Sequence, residues 1–213
     1  MARTTFEPAL QQAHGGRGYS GRMNAVLEAP TAPGLSNDTV IDATQRWVER
    51  AVIGLNLCPF AKAVFSGGQL RIEASAARSA EDLLGDLAVE LTYLAQVDPE
   101  LIETTLLVAP HALPDFLDFN DFLGAAEEAI AALDLKGTLQ VVGFHPRFRF
   151  DGAAEDDMGN FSNRSPYPTL HLLREASITR AVAAIPDPRA IYGQNIRRLR
   201  ALGLQGWLRL MGD

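Results

Sequence analysis

One cysteine in 213 residues, Cys58, leaves no internal disulfide to form, so a reducing, cytoplasmic setting is the expectation. Basic residues are in deficit, with 19 Lys and Arg against 26 Asp and Glu and a formal net charge of −7. That balance argues against a general nucleic-acid binder, which carries a basic stripe. No apolar run approaches the roughly 20 residues of a membrane-spanning helix, so no membrane partner is expected. Nor does a basic segment followed by an apolar one open the chain, as in a secretory signal. There is no Walker loop, no dinucleotide glycine fingerprint and no nucleophile elbow. Asp151, Glu155, Asp156 and Asp157 lack the fixed spacing of a calcium hand and read as a solvated acidic loop. No internal repeat is visible. What remains is an ordinary globular composition, 47% hydrophobic and 21% charged, with enough apolar material for one sizeable core.

Residues 1–36 are rich in Gly and Pro and lack sustained periodicity, which predicts a flexible extension that buries too little to offset its ordering entropy. Residues 37–213 read as a single domain. Asp38 is the expected cap of a first helix, in which Val40, Ile41, Thr44, Trp47, Val48, Ala51, Val52 and Leu55 recur at helical spacing, ending near Gly54 to Asn56. Leu70–Ala74 alternates like a half-buried strand. Ser79 opens a second helix carrying Leu83, Leu84, Leu87, Leu91 and Leu94. Thr104–Ala109 is a second, more apolar strand. Pro114-Asp115 starts a third helix, closed at Lys136-Gly137, and Thr138–Phe144 is a third strand. Leu170, Leu173, Ser177 and Ala181 predict a fourth helix. Asp187-Pro188 opens a fifth that ends at Gly203, and Gln205–Met211 is a candidate edge strand. Strands alternating with helices make the fold class α/β, with a small parallel or mixed sheet of three to five strands flanked by about five helices.

The candidate chemistry concentrates between Gly143 and Glu175, too long a connection for an idle loop. His145 stands at the C-terminal end of a predicted strand, where open α/β sheets place ligands, and precedes Pro146. The competing reading is a histidine satisfied by its own strand terminus. Asn163-Arg164-Ser165-Pro166-Tyr167 predicts a helix start, with Ser165 as cap and Pro166 in the first turn. Its free amides beside the planar fork of Arg164 would form an anion-binding corner, with Asn163, Tyr167, Arg174 and Asn120 within reach as further contacts. On the predicted fourth helix His171 and Glu175 lie four residues apart and share a face. Glu175 would orient His171 as a general base. Alternatively the pair is half of a transition-metal site completed by Cys58 or His145, or a solvated surface pair. Cys58 is a nucleophile or ligand if Pro59 begins a helix that favours its thiolate, and an inert buried thiol otherwise.

Several of these segments together resemble a known family. Leu55-Asn56-Leu57-Cys58-Pro59-Phe60-Ala61-Lys62, Asp118-Phe119-Asn120, Phe144-His145-Pro146, and Asn163-Arg164-Ser165-Pro166-Tyr167-Pro168 with Leu170-His171-Leu172-Leu173-Arg174-Glu175 are similar to the bacterial and plant group called domain of unknown function 1415. The resemblance runs from Asp38 to the C-terminus. It implies a shared domain and carries no activity. From the residues, the expectation is an enzyme, a hydrolase or group-transfer catalyst, acting on a small anionic metabolite. His145, His171, Cys58 and Glu175 would serve catalysis, and Arg164, Asn163, Ser165, Tyr167, Arg174 and Asn120 would hold the substrate. The rival is a non-catalytic ligand-binding or regulatory module using the same pocket.

Overall fold

The computed structural model describes residues 35–183, 187 and 189–212. The extension expected over residues 1–36 therefore lies almost entirely outside the described residues. Helix α1 (Asn37–Trp47) is capped by Ser36, whose hydroxyl accepts from the Thr39 amide, two residues before the Asp38 cap expected from sequence. It runs into a π-helical stretch, Val48–Ile53, in which the wider turn is closed by Gly54 N–H donating to the Glu49 carbonyl at 2.9 Å. A side chain at Gly54 would collide with the Arg50 carbonyl, so glycine permits this bulge.

Short helix α2 (Ala61–Ser66) leads to β1 (Leu70–Ala74), α3 (Ala80–Gln96), β2 (Thr104–Val108), α4 (Phe116–Ala132) and β3 (Leu139–Phe144). The Ser79 cap of α3 forms, its hydroxyl accepting from the Asp82 amide, and Asp115 caps α4 through the amides of Leu117 and Asp118. A 3-10 stretch, Met158–Asn163, then precedes β4 (Thr169–Arg174), α5 (Glu175–Ala183) and α6 (Arg189–Met211). Gly203, with φ of 63°, breaks α6 where the fifth helix was expected to end. The chain then continues as helix, so the edge strand expected over Gln205–Met211 is not formed.

The fourth helix expected from Leu170 is also corrected. Thr169–Arg174 is a strand, and helix begins only at Glu175. The sheet order is β1-β2-β4-β3, with β1 and β2 parallel and β4 antiparallel to both its neighbours. Strands β2 and β3 thus point the same way with β4 between them. Leu170 and Leu172 read equally well in a 2-residue or a 3.6-residue period, an ambiguity common to short apolar runs. Two backbone ladders from β2 and β3 decide it, and Pro166 and Pro168 hold the approach extended.

The two sheet faces are covered unequally. On one, Leu83, Leu87, Leu91 and Leu94 of α3 and Phe119, Phe122, Ala126 and Ile130 of α4 pack against Leu107, Leu139, Val141, Leu170 and Leu172. On the other, Trp47, Val48, Ala51, Leu57, Phe161, Leu199 and Trp207 gather over Leu106, while Val40 packs with Ala74, Val108 and Tyr167. Strand residues alternate between faces, so Gln140, Val142, His171 and Leu173 point to this second side. All four are only half-buried.

Gly143 is where α4 comes closest to the sheet. A Cβ there would lie 2.7 Å from Cε1 of Phe119 and 3.1 Å from Cδ1 of Leu123. Because Phe119 is only 1% exposed, its ring has nowhere to move. Gly143→Ala is expected to lower stability by about 1–3 kcal/mol, read as a lower urea midpoint with unchanged slope.

Candidate functional site

The C-terminal ends of β1, β2 and β3 and the start of β4 meet at one rim, and five of the ten expected site residues, His145, Asn163, Arg164, Ser165 and Tyr167, lie in the segment that joins β3 to β4 there. His145 follows β3 directly and is 1% exposed. All its polar groups are used. Its amide donates to the Asn163 carbonyl at 3.1 Å, and its carbonyl accepts from Phe148 at 3.0 Å. Nδ1 accepts from the Arg147 amide at 3.0 Å, which leaves the proton on Nε2 to face the Leu113 carbonyl at 3.2 Å. The ring lies between Phe116 and Phe119, on the α4 side of the sheet. Burial holds its pKa down to about 4, against the pull of the Leu113 bond. This is the satisfied, structural histidine weighed as the alternative from sequence.

The polar loop also uses its side chains on itself. Asn160 is fully buried, accepting from the Phe150 amide and donating to the Ala154 carbonyl. Asn163 accepts from Ser162 through its side chain. Ser165 donates to the Tyr167 carbonyl at 2.6 Å, and Tyr167 is buried against α1. With no helix beginning at Pro166, the anion corner built on free first-turn amides is withdrawn. Arg164 remains, 6% exposed. Nε donates to the Phe148 carbonyl at 3.2 Å and Nη2 to that of Glu155 at 2.7 Å. The guanidinium stacks 4.4 Å from the Phe161 ring centroid. Among the described residues no carboxylate pairs with it. Burial lowers its pKa to about 10, partly opposed by the Glu155 charge, so it stays a cation at neutral pH.

His171 sits in mid-β4, paired across to Leu106 and Val142, and its ring centroid is 6.0 Å from that of Phe144. It lies on the opposite face from His145, so the two imidazoles do not share a pocket. Nor do His171 and Glu175 share a helix face, and the half-site for a metal built on their spacing disappears with the helix. Among the described residues no group of three or more His, Cys, Asp or Glu could hold a metal ion. Burial among apolar neighbours pushes the His171 pKa down to about 4. Unlike that of His145, its ring has no hydrogen-bond partner among the described residues.

Arg174 and Glu175 stand at the other end of β4, about 17 Å from its start at the usual rise per residue. Arg174 donates to the carbonyls of Val97 and Ile102, and the Glu175 amide bonds to Thr138. They are therefore far from the rim. Asn120 is half-buried on α4, the helix covering the His145 face. Cys58 is half-buried beside Leu57, which belongs to the apolar layer over Leu106. Burial raises its thiol pKa, while hydrogen bonds from the Phe60 and Ala61 backbone lower it; burial is the larger effect. A surface groove of about 230 Å³ between the acidic loop and α6 is lined by Phe150, Tyr192, Arg200 and Asn160 among others. It involves none of the candidate site residues, and the Asn160 amide in its wall is engaged with main chain.

Cys58 and His171 thus border the apolar layer on the second side of the sheet, while His145 and Asn120 lie on the α4 side; Arg164 stands at the rim between them, stacked on Phe161 of the second layer and with its charge acting on His145. The sequence reading missed Gln140 and Val142, which flank His171 on the second side; their only signal was polar–apolar alternation in β3. A four-stranded mixed sheet with helices on both faces defines a single-domain α/β protein. Residues 39–209 match the family model described as protein of unknown function (DUF1415), and the chain belongs to that family. No curated protein and no solved structure matches it. No helix among the described residues is long and apolar enough to cross a membrane.

Depressed histidine pKa values make folding pH-dependent. The unfolded chain takes up protons near pH 6.5 whereas native His145 stays neutral to about pH 4, so stability is lost as pH falls through that window and is full above it. The shift is worth roughly 3 kcal/mol for one such histidine. Urea midpoints are expected to fall between pH 7 and pH 4.5, and His145→Gln should flatten that slope while lowering stability at pH 7.

Proposed function

We propose that this protein binds a small anionic metabolite at the rim of the sheet, where Arg164 lies. Arg164 carries the reading. A guanidinium this buried normally has a carboxylate beside it. Here its partners are two carbonyls and an aromatic ring, in a chain with acids to spare. A phosphate or carboxylate reaching the guanidinium would supply the missing counter-charge in a low-dielectric setting. His171, whose ring has no hydrogen-bond partner among the described residues, is the second group assigned to the ligand.

A catalytic version, hydrolysis or group transfer on such an anion, is favoured by one observation. Cys58 borders the same apolar layer as Phe161, and the Phe60 and Ala61 backbone opposes the effect of burial on its thiol. In that version His171 moves the proton and Cys58 is the nucleophile.

Inorganic phosphate and small carboxylates are the first probes. Phosphate well above its Kd is expected to raise Tm by about 2–5 °C, and Arg164→Gln should abolish the shift. Glu155→Gln alters only an exposed side chain and removes the acidic charge acting on Arg164. It should therefore tighten phosphate binding severalfold. A wild-type Tm unmoved by either class of anion, or a Glu155→Gln variant binding no better, would overturn the reading. Turnover of small esters that is lost in both His171→Gln and Cys58→Ser would select the catalytic version.

A further inference from the structure

The groove of about 230 Å³ between the acidic loop and α6 has chemistry that the anion site does not use. Tyr192, Ile196 and Arg200 recur at one turn's spacing along α6 and line one wall, and Phe150, Asp151 and Gly152 line the other. Phe150 to Ala153 form a tight turn, closed by the Ala153 amide donating to the Phe150 carbonyl at 3.1 Å. Gly152 takes φ of 69° there, which a side chain would strain. The turn sets Phe150 and Asp151 at the groove. The rings of Phe150 and Tyr192 stand 5.7 Å apart with their planes 88° to each other, two walls of an aromatic corner. Phe150 is held in turn by Phe148, 4.9 Å away. Tyr192 is 44% exposed, so the corner opens to solvent.

The charges along the groove do not cancel. Asp157 takes Arg200 at 2.8 Å and accepts from the Gly159 amide as well, so this carboxylate and this guanidinium answer each other. Asp151 is exposed and has no hydrogen bond or ion pair among the described residues. An uncompensated negative charge therefore lies beside the aromatic corner, in a chain whose net charge is −7. An anion would find Arg200 already engaged and Asp151 opposed to it. An organic cation uses everything present. Its charge meets the electron-rich ring faces and the carboxylate, while its alkyl groups leave water against the rings and Ile196. A primary ammonium would need acceptors for three N–H groups, and Asp151 is the uncommitted carboxylate among the described groove residues. A methylated nitrogen makes no such demand. We propose that this groove binds a small methylated ammonium ion, with Phe150, Tyr192 and Asp151 as its receptor. The site is separate from the one at Arg164 and does not depend on it.

NMR titration of the full chain with choline tests it, beside the neutral isostere dimethylbutanol, in which carbon replaces the nitrogen. Choline is expected to shift the Tyr192 ring and Gly152 amide signals saturably, and the isostere to bind roughly tenfold more weakly. Tyr192→Leu should weaken choline binding by about threefold to tenfold. Asp151→Asn, a change at an exposed turn position that keeps the fold, should weaken it severalfold and more so at low salt. Vesicles of phosphatidylcholine separate the two sources of such a nitrogen. Co-sedimentation with them would assign the groove to a lipid headgroup, and choline binding without it to a free metabolite. Equal binding of choline and its isostere, choline binding left unchanged by both variants, or no saturable shift at Tyr192 and Gly152 overturns the proposal.

Discussion

The hydrogen bonds converging on His145 hold the rim of this domain together. One buried residue ties β3 to the Asn163 segment, turns the chain at Phe148, orients Arg147 and anchors Leu113 ahead of α4. Leu113 has φ of 52°, a left-handed conformation that costs a non-glycine residue about 1 kcal/mol or more. The imidazole holding its carbonyl helps to offset that strain. Burial keeps the ring neutral, which is the state this bonding needs, because Nδ1 must stay an acceptor. A residue chosen from sequence as a proton carrier is thereby committed to architecture.

The same rim explains why so polar a loop need not be a site throughout. Between Phe148 and Tyr167 the chain has little regular structure with which to satisfy its main chain, and buried carbonyls and amides must find partners. Asn160, Ser162 and Ser165 supply them locally. Arg164 does so as well, bridging two carbonyls 7 residues apart in sequence, those of Phe148 and Glu155. It differs from the others in being an ion. Carbonyl dipoles and a ring face stabilise a cation without neutralising it, so Arg164 combines a structural tie with a residual positive field.

Unequal coverage of the sheet follows from its topology. Helices α3 and α4 each follow a strand and return across one face, where a continuous leucine and phenylalanine layer receives them. The second face is covered by α1 and its π-helical extension at one end of the chain and by α6 at the other. Strand β4 enters the sheet from the loop, between β2 and β3, and so places His171 on that second face. Its position there rests on strand pairing and not on any hydrogen bond of its ring among the described residues.

How far the sequence could be read divides along a physical line. Local signals were sufficient for Leu70–Ala74, for the Ser79 cap, for the leucine face of α3 and for the break at Gly203, because each depends on neighbours within a turn or two. They also sufficed for the α/β class. The state of Thr169–Arg174 was not local: its apolar residues suit both periods, and only the ladders offered by β2 and β3 chose the strand. That choice moved His171 away from Glu175 and onto the opposite face from His145, and it removed the expected helix start at Ser165. The sequence by itself determined which groups capable of chemistry the chain possesses. Tertiary structure alone decided which of them are consumed by their own backbone and which stay free, since a side chain's partners are set by long-range pairing that short spacing does not encode.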